Sequence, residues 1–175
     1  MGQKVPESFL NWLNSLKKIT LPTWQDFPEL DLYMDQSIKL VNQYLEPLNL
    51  APVTATMVNN YVKKEVMFKP IKKRYRKEHL AAIVVITILK SAFPLTVIKN
   101  GIDQLLVDNS AEDAYMNFAL IFNEQIKSLT FDTNLKPVTI ETTIIELEQR
   151  TAASAVINHI ISEKLVMLMK EATKS

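Results

Sequence analysis

Apolar residues recur at three- and four-residue intervals through most of the chain, the spacing that predicts amphipathic α-helices. A short helix is expected over residues 7–18. A second helix is expected over 31–47, with Asp31 as its N-terminal cap and Pro47 at its end. The third helix is short and begins at a capping Thr54 or Thr56. It must pack against its neighbours, because so short a helix is not stable alone in water.

The helices predicted further along the chain differ in how much of their surface is apolar. A fourth helix over 77–91 is apolar on nearly every side from Leu80 to Leu89, which makes it the expected central, buried element. Pro94 stands at the start of a fifth helix, where its missing N–H group costs nothing. Ser110, with Asp113 three residues later, is expected to cap a sixth helix.

The last predicted helix is unusually long. It follows a linker over 131–137, opens at Thr139 with Glu141, and extends to residue 172. More than 30 helical residues would span roughly 50 Å, more than a compact domain of this size measures. The helix is therefore expected either to bend near 151–154 or to leave the domain and pair with a second chain. A homodimer through the C-terminal helices and an intramolecular bundle both remain open.

Composition supports an all-α fold and excludes several classes of function. The 175 residues include only two glycines, too few for a Gly-rich phosphate cradle or a turn-rich β fold. Cysteine is absent, so a disulfide framework, a thiolate metal site and a cysteine nucleophile are all excluded. Residues 1–6 lack the apolar core of a signal peptide, and no apolar run is long enough to cross a membrane. A cytoplasmic protein without a membrane segment is expected.

Positive charge is concentrated in residues 63–77. Eight of the chain's 20 lysines and arginines lie there beside the single acid Glu65, giving a local charge of +7 in a chain whose net charge is +1. The remaining 160 residues therefore carry −6. Such a local field attracts phosphate or another polyanion, although a lone basic run is as often a solvated loop.

The surroundings of this run favour a helix-turn-helix reader of DNA. A short polar helix precedes a basic loop bounded by Pro70, and two further helices follow, the second opened by Pro94. In such readers the short helix enters the major groove, where Asn can bond an adenine edge, and a basic loop holds the backbone phosphates. Tyr75 is expected either to pack inward and anchor the loop or to offer its hydroxyl to a phosphate. The candidate DNA-binding residues are Thr56, Asn59, Asn60, Lys63, Lys64, Lys69, Lys72, Lys73, Arg74, Tyr75 and Arg76.

The same segment resembles a bacterial family known as domain of unknown function 1836. The resemblance covers roughly 21–130. It is carried by Met57-Val-Asn-Asn-Tyr61-Val-Lys-Lys-Glu-Val66-Met67, Pro70, Lys73-Arg-Tyr75, His79-Leu80 and Pro94-Leu95-Thr-Val-Ile98. About 50 residues of this family are in turn similar to the DNA-binding head of MerR-type regulators, which implies a recognition helix, a small wing and two supporting helices. Asn59 then falls on an arginine that those regulators use near DNA. Tyr61 falls on a helix tyrosine, Tyr75 on the wing tyrosine, and Lys73 on the wing arginine.

Three features depart from the MerR pattern. Glu65 stands where the turn after the recognition helix usually has Gly, which tolerates positive φ. Arg76 stands where a helix-capping Ser is usual, and the wing is several residues shorter. The layout implied is an N-terminal helix over 1–20, a helix-turn-helix domain with a short basic loop or wing over 21–108, and a C-terminal dimerisation or effector module over 109–175.

Two functional hypotheses follow. The first is a winged helix-turn-helix, MerR-like regulator of transcription that binds double-stranded DNA. The alternative is a non-catalytic helical adaptor that has lost DNA binding and uses the same surfaces to bind a protein. Enzyme function is not expected, because His79 and His159 lie far apart and His79 begins a buried helix, where packing or capping is the expected role. Neither a cofactor nor a metal site is predicted.

Overall fold

The computed structural model describes residues 7–128 and 143–172, and it is all-helical within these ranges. Two isolated antiparallel bridges are the only β-type pairings in them. Short 3₁₀ turns at Trp24–Asp26 and Glu46–Leu48 lie before and after the second helix. The expected all-α class is therefore confirmed. The seven helices are α1 (Glu7–Leu16), α2 (Met34–Leu45), α3 (Ala55–Lys63), α4 (Lys77–Leu89), α5 (Leu95–Asp108), α6 (Ala111–Lys127) and α7 (Ile144–Ala172).

Helix starts follow the capping chemistry of the sequence in two cases. The Thr54 hydroxyl accepts a hydrogen bond from the Met57 amide at 3.3 Å and so begins α3. The Ser110 hydroxyl accepts from the Asp113 amide at 3.1 Å and begins α6. Each cap satisfies one of the amide groups that a helix start leaves without an intrahelical partner.

The predicted cap of α2 is wrong. This helix begins at Met34 with Tyr33 at the capping position, two residues after the cap expected at Asp31. The reason lies elsewhere in the chain, because Leu32 pairs through both backbone groups with Tyr75, which keeps the backbone extended there. A helix cannot begin until that pairing ends.

The core is organised around α4, as its apolar sequence predicts. Eight of its thirteen residues are buried, and it packs against α2, α5, α6 and α7. Ile83, Val84 and Ile86 are wholly inaccessible to solvent. One continuous core joins residues from Phe9 in α1 to Ile161 in α7. Helices on both sides of the domain boundary expected at residues 108 and 109 contribute to this core. The boundary itself stays a prediction.

Helix α7 has 29 residues and so measures about 43 Å at 1.5 Å per residue. It is uninterrupted across 151–154, where the sequence suggested a bend. Ala152 and Ala153 are buried, and the helix packs against α6 and α4. Small residues therefore stand at a close helix contact there. The predicted linker over 131–137 lies outside the described residues, as do Thr139 and Glu141. The helix begins later than expected, at Ile144, where the Thr143 hydroxyl accepts a hydrogen bond from the Glu146 amide at 3.1 Å. No helix in the described ranges has the length and apolar character that a bilayer span requires.

Candidate nucleic-acid interface

Helix α3 presents one polar face to solvent. At about 100° per residue, its outward side chains cluster within roughly a third of the helix circumference. The opposite side places Val58 and Tyr61 in the core with no exposed surface. Asn59 is exposed and Asn60 half-buried, so both amides lie at the surface. The outward residues of this face are Thr56, Asn59, Asn60 and Lys63.

Two sets of contacts hold α3 in place. The Asn42 side chain on α2 bonds both backbone groups of Val53, accepting from its amide at 2.8 Å and donating to its carbonyl at 3.0 Å. The buried Tyr61 ring lies beneath the ammonium group of the exposed Lys90, which is 5.8 Å from the ring centroid. Burial raises the pKa of Tyr61, an effect partly offset by the neighbouring Thr87 hydroxyl. These contacts fix the position of α3 and keep its polar face toward solvent.

The turn after α3 keeps the shape that glycine usually provides. The Val66 amide bonds the Tyr61 carbonyl at 2.9 Å and the Glu65 amide bonds the Val62 carbonyl at 3.1 Å, the pattern of a Schellman motif. Glu65 occupies its left-handed position with φ of 57°. The missing glycine therefore does not abolish the turn. A non-glycine residue there costs on the order of 1 kcal/mol.

Replacing Glu65 by Gly is expected to stabilise the fold by about 1 kcal/mol, because glycine adopts this backbone conformation without strain. Urea denaturation followed by circular dichroism measures the change. Lys64→Gly is the matched control, since Lys64 has φ of −87° and gains nothing from glycine. If both substitutions destabilise the protein equally, the strain at Glu65 is not real.

The basic run folds into a minimal hairpin. Ile71 and Arg74 exchange two backbone hydrogen bonds, of 3.2 and 2.9 Å, across a two-residue turn. The central residues Lys72 and Lys73 have φ of 49° and 62°, so the turn is of the type I′ class. This turn class strongly prefers Asn-Gly. Lys72 and Lys73 adopt it although a left-handed backbone conformation is unfavourable for lysine. The tip of the hairpin thus combines two exposed positive charges with local strain.

Tyr75 joins the hairpin to the core. Its backbone amide and carbonyl pair with Leu32 at 2.8 and 2.9 Å. Its ring is 3% exposed and meets the His79 ring edge to face, with centroids 5.7 Å apart. Burial raises the pKa of Tyr75. The inward packing is the alternative observed, and the place of Tyr75 among the DNA-binding residues stays a prediction. The tyrosine anchors the hairpin.

His79 fastens the same hairpin to the start of α4. Its Nδ1 atom accepts a hydrogen bond from the Arg76 amide at 3.1 Å, and its Nε2 atom lies 3.2 Å from the Lys69 carbonyl oxygen. A neutral ring protonated at Nε2 satisfies both contacts at once. His79 is 2% exposed. The predicted helix-start role is confirmed. It also explains how Arg76 can stand at a cap position: His79 supplies the capping contact.

Three of the eight basic side chains are held by residues that precede α2. The Arg74 guanidinium lies 3.6 Å from the Tyr33 ring centroid, and Arg76 approaches the Asp31 carboxylate at 3.5 Å. Lys77 forms an ion pair with Glu29 at 2.5 Å. Sequence reasoning missed these partners, because Glu29 lies 48 residues from Lys77 and no local pattern links them.

The remaining lysines face solvent. Within the part of the chain that the structure describes, they form no ion pair. Two of them end α3, one lies before the hairpin and two form its tip. The structure thus divides the predicted basic set into three anchored cations and five free ones: Lys63, Lys64, Lys69, Lys72 and Lys73.

Other chemistry is sparse in the described ranges. No group of three or more His, Asp or Glu side chains there is arranged to hold a metal ion.

The chain matches no curated protein and no solved structure. The family model described as Domain of unknown function (DUF1836) matches residues 22–124, which include α2 to α5, the hairpin and most of α6. Since this match spans more than half of the chain, the protein belongs to the DUF1836 family of domains of unknown function.

Proposed function

We propose that the protein is a DNA-binding regulator of transcription. Helix α3 would bind the base edges of duplex DNA, and the basic hairpin would bind the phosphates of the DNA backbone. One observation carries this proposal: an exposed polar helix face and five unpaired lysines occur on consecutive segments, between Thr56 and Lys73. The two lysines at the hairpin tip occupy strained backbone positions, which favours a functional over a structural reason for them.

The chemistry of each part suits a different task. Exposed Asn and Thr side chains on a short helix can bond base edges in the major groove, with Asn bidentate to adenine. Lysines at the end of that helix and on the hairpin can neutralise phosphates and set the register. Arg74 and Arg76, held by Tyr33 and Asp31, would brace the hairpin and contribute less to binding.

The order of elements supports a MerR-like arrangement. Helix α2, the reader α3, the hairpin, α4 and α5 follow one another in this order. Two of the three departures are accommodated, since Glu65 adopts positive φ in the turn and His79 supplies the capping contact at Arg76. We further propose that the protein acts in the cytoplasm as a homodimer paired through α6 and α7, so that its binding site would be a two-fold repeat.

Changing Asn59 or Asn60 to Ala is expected to relax base preference while leaving the salt dependence of binding intact. Each asparagine that pairs with a base contributes about 1–3 kcal/mol of discrimination but neutralises no phosphate. Selection from a random DNA library, performed with the wild type and each variant, measures the preference position by position. Thr20→Ala, outside the proposed reader, is the control. An unchanged selected motif in both asparagine variants would remove α3 as the reader.

Gel-shift titrations over a salt series test the proposal as a whole. With about four to five phosphate contacts per subunit, the logarithm of the association constant should fall against log salt with a slope near −4 per subunit. Retardation of DNA at low salt with that dependence supports the proposal. Absence of retardation at low salt ends it.

A protein-binding adaptor is the second candidate, favoured by exposed apolar residues beside the lysines. Phe68 and Ile71 are 54% and 48% exposed and flank Lys69 and the hairpin tip. An acidic protein partner with an apolar patch would match this mixture. Protein purified free of nucleic acid together with a stable, salt-sensitive protein partner would favour this candidate over the first.

A further inference from the structure

A cavity of about 270 Å³ lies between the segment that follows α3 and helices α4, α5, α6 and α7. Its walls are mostly apolar, and they include Met67 and Phe68 from that segment, Val85 from α4 and Phe118 from α6. Glu148, Gln149 and Ala152 line it from α7. Concave apolar walls with few polar groups are typical of small-molecule sites.

Among the described residues, all the charged groups that line this cavity are acidic. Glu65, Glu78, Asp103 and Glu148 reach it from four different segments, and no lysine, arginine or histidine of the described residues lines it. Asp103 is ion-paired with Lys99, so the negative charge comes from Glu65, Glu78 and Glu148. The cavity therefore combines apolar walls with negative charge, which favours an apolar ligand bearing a positive charge.

Gln149 provides a second, independent sign of a missing ligand. The residue is 4% exposed, and its side-chain Nε2 group finds no hydrogen-bond partner among the described residues. A buried donor without an acceptor is costly and rare in folded proteins. A ligand carbonyl, ether or hydroxyl oxygen in the cavity would satisfy it.

Glu148 stands at the solvent side of the cavity. Its side chain is exposed, yet the surrounding apolar atoms desolvate the carboxyl group and raise its pKa. A cation bound beside it would offset this desolvation and favour the charged carboxylate.

We propose that this cavity is a binding site for a small lipophilic cation, an aromatic or aliphatic amine that also carries a hydrogen-bond acceptor. The apolar part would lie against α4, α5 and α6, the amine near Glu148, and the acceptor on Gln149. This site is separate from the polar face of α3 and does not depend on DNA binding.

Calorimetric titration of the full chain with two probes on one ring tests the charge preference. The probes are 2-(1-naphthyloxy)ethylamine, a cation at neutral pH, and 1-naphthyloxyacetate, an anion, and both carry the same ether oxygen as an acceptor for Gln149. The amine is expected to bind at one site per chain and at least tenfold more tightly than the acetate, because a carboxylate lies near its charge. The preference should shrink as salt is added.

Two variants locate the site. Glu148→Gln is expected to weaken the amine about tenfold and leave the acetate nearly unchanged, whereas Glu46→Gln, which does not line the cavity, serves as the control. Gly101→Leu should block the cavity, since a Cβ atom there meets only Glu148 Oε1, at 3.9 Å. It should also raise Tm by about 2–4 °C by removing a helical glycine, so loss of binding cannot be ascribed to unfolding.

Each outcome decides the proposal. Binding of the amine that is weakened by Glu148→Gln and lost in Gly101→Leu supports it. Equal binding of both probes, tighter binding of the acetate, or no binding of either overturns it. A dimer that Gly101→Leu dissociates would show that a second copy of the chain fills the cavity, and also overturns it. None of these results bears on the DNA experiments, which are performed without the probes.

Discussion

Replacing Lys72 and Lys73 by Asn and Gly is expected to stabilise the protein while weakening its hold on DNA. Asn-Gly is the preferred pair for the type I′ turn, so relief of two positive-φ lysines should add about 1–2 kcal/mol to the free energy of unfolding. Loss of two phosphate contacts should reduce the salt slope by about 1.8 and the affinity roughly 60-fold at 0.1 M salt. Opposite effects on stability and binding are the signature of a turn retained for function.

Urea denaturation and gel shifts on the same preparations measure the two effects. Lys17→Asn combined with Lys18→Gly is the matched control, because it removes the same two charges from the segment after α1, outside the proposed interface. Lys72→Arg with Lys73→Arg keeps the charge and the strain, and should bind like the wild type. DNA affinity that is lowered equally by the control pair would show that net charge, not the hairpin, sets binding.

Replacing His79 by Ala is expected to cost about 3 kcal/mol, the largest loss of stability predicted for a single polar side chain here. The substitution removes both ring contacts and leaves the Lys69 carbonyl and the Arg76 amide without their partners. It also opens a cavity beside Tyr75, whose ring packs on the imidazole. The corresponding fall in Tm is about 6–12 °C.

Thermal and urea denaturation measure this loss. Glu78→Ala, one residue earlier in the first turn of α4, is the control and should cost no more than about 1 kcal/mol, its contribution to the helix dipole. Limited proteolysis adds a local readout, because a hairpin released from His79 should be cut between Lys69 and Arg76 before the helices are. Equal losses in the two variants would mean that the histidine contacts contribute little.

Much of the local structure could be predicted from the sequence. The caps at Thr54 and Ser110 were predictable because a hydroxyl beside an apolar repeat satisfies amides only a few residues away. The burial of α4 followed from its apolar circumference, and the outward polar face of α3 from helical periodicity. The inward packing of Tyr75 was one of two alternatives, and the sequence did not exclude the other.

The basic residues of the candidate site could be identified from the sequence. Which of them pair with other residues and which remain free could not. Charge counting identifies the basic run, yet it cannot tell that Arg74 and Arg76 are held by Tyr33 and Asp31. A second long-range contact, the backbone pairing of Leu32 with Tyr75, explains why the cap expected at Asp31 was wrong. The cavity beside Gln149 was missed, because its lining comes from five segments with no shared pattern in the chain.

The amino-acid sequence by itself determined the helices, two of their caps, the concentration of positive charge and the family, because these depend on neighbours within a few residues or on composition. Only the tertiary structure decided which cations remain free, which residues take positive φ, and where a ligand-sized space opens. Those features arise from contacts between segments tens of residues apart. At Glu65, Lys72 and Lys73 the packed fold imposes backbone conformations that the residues themselves disfavour.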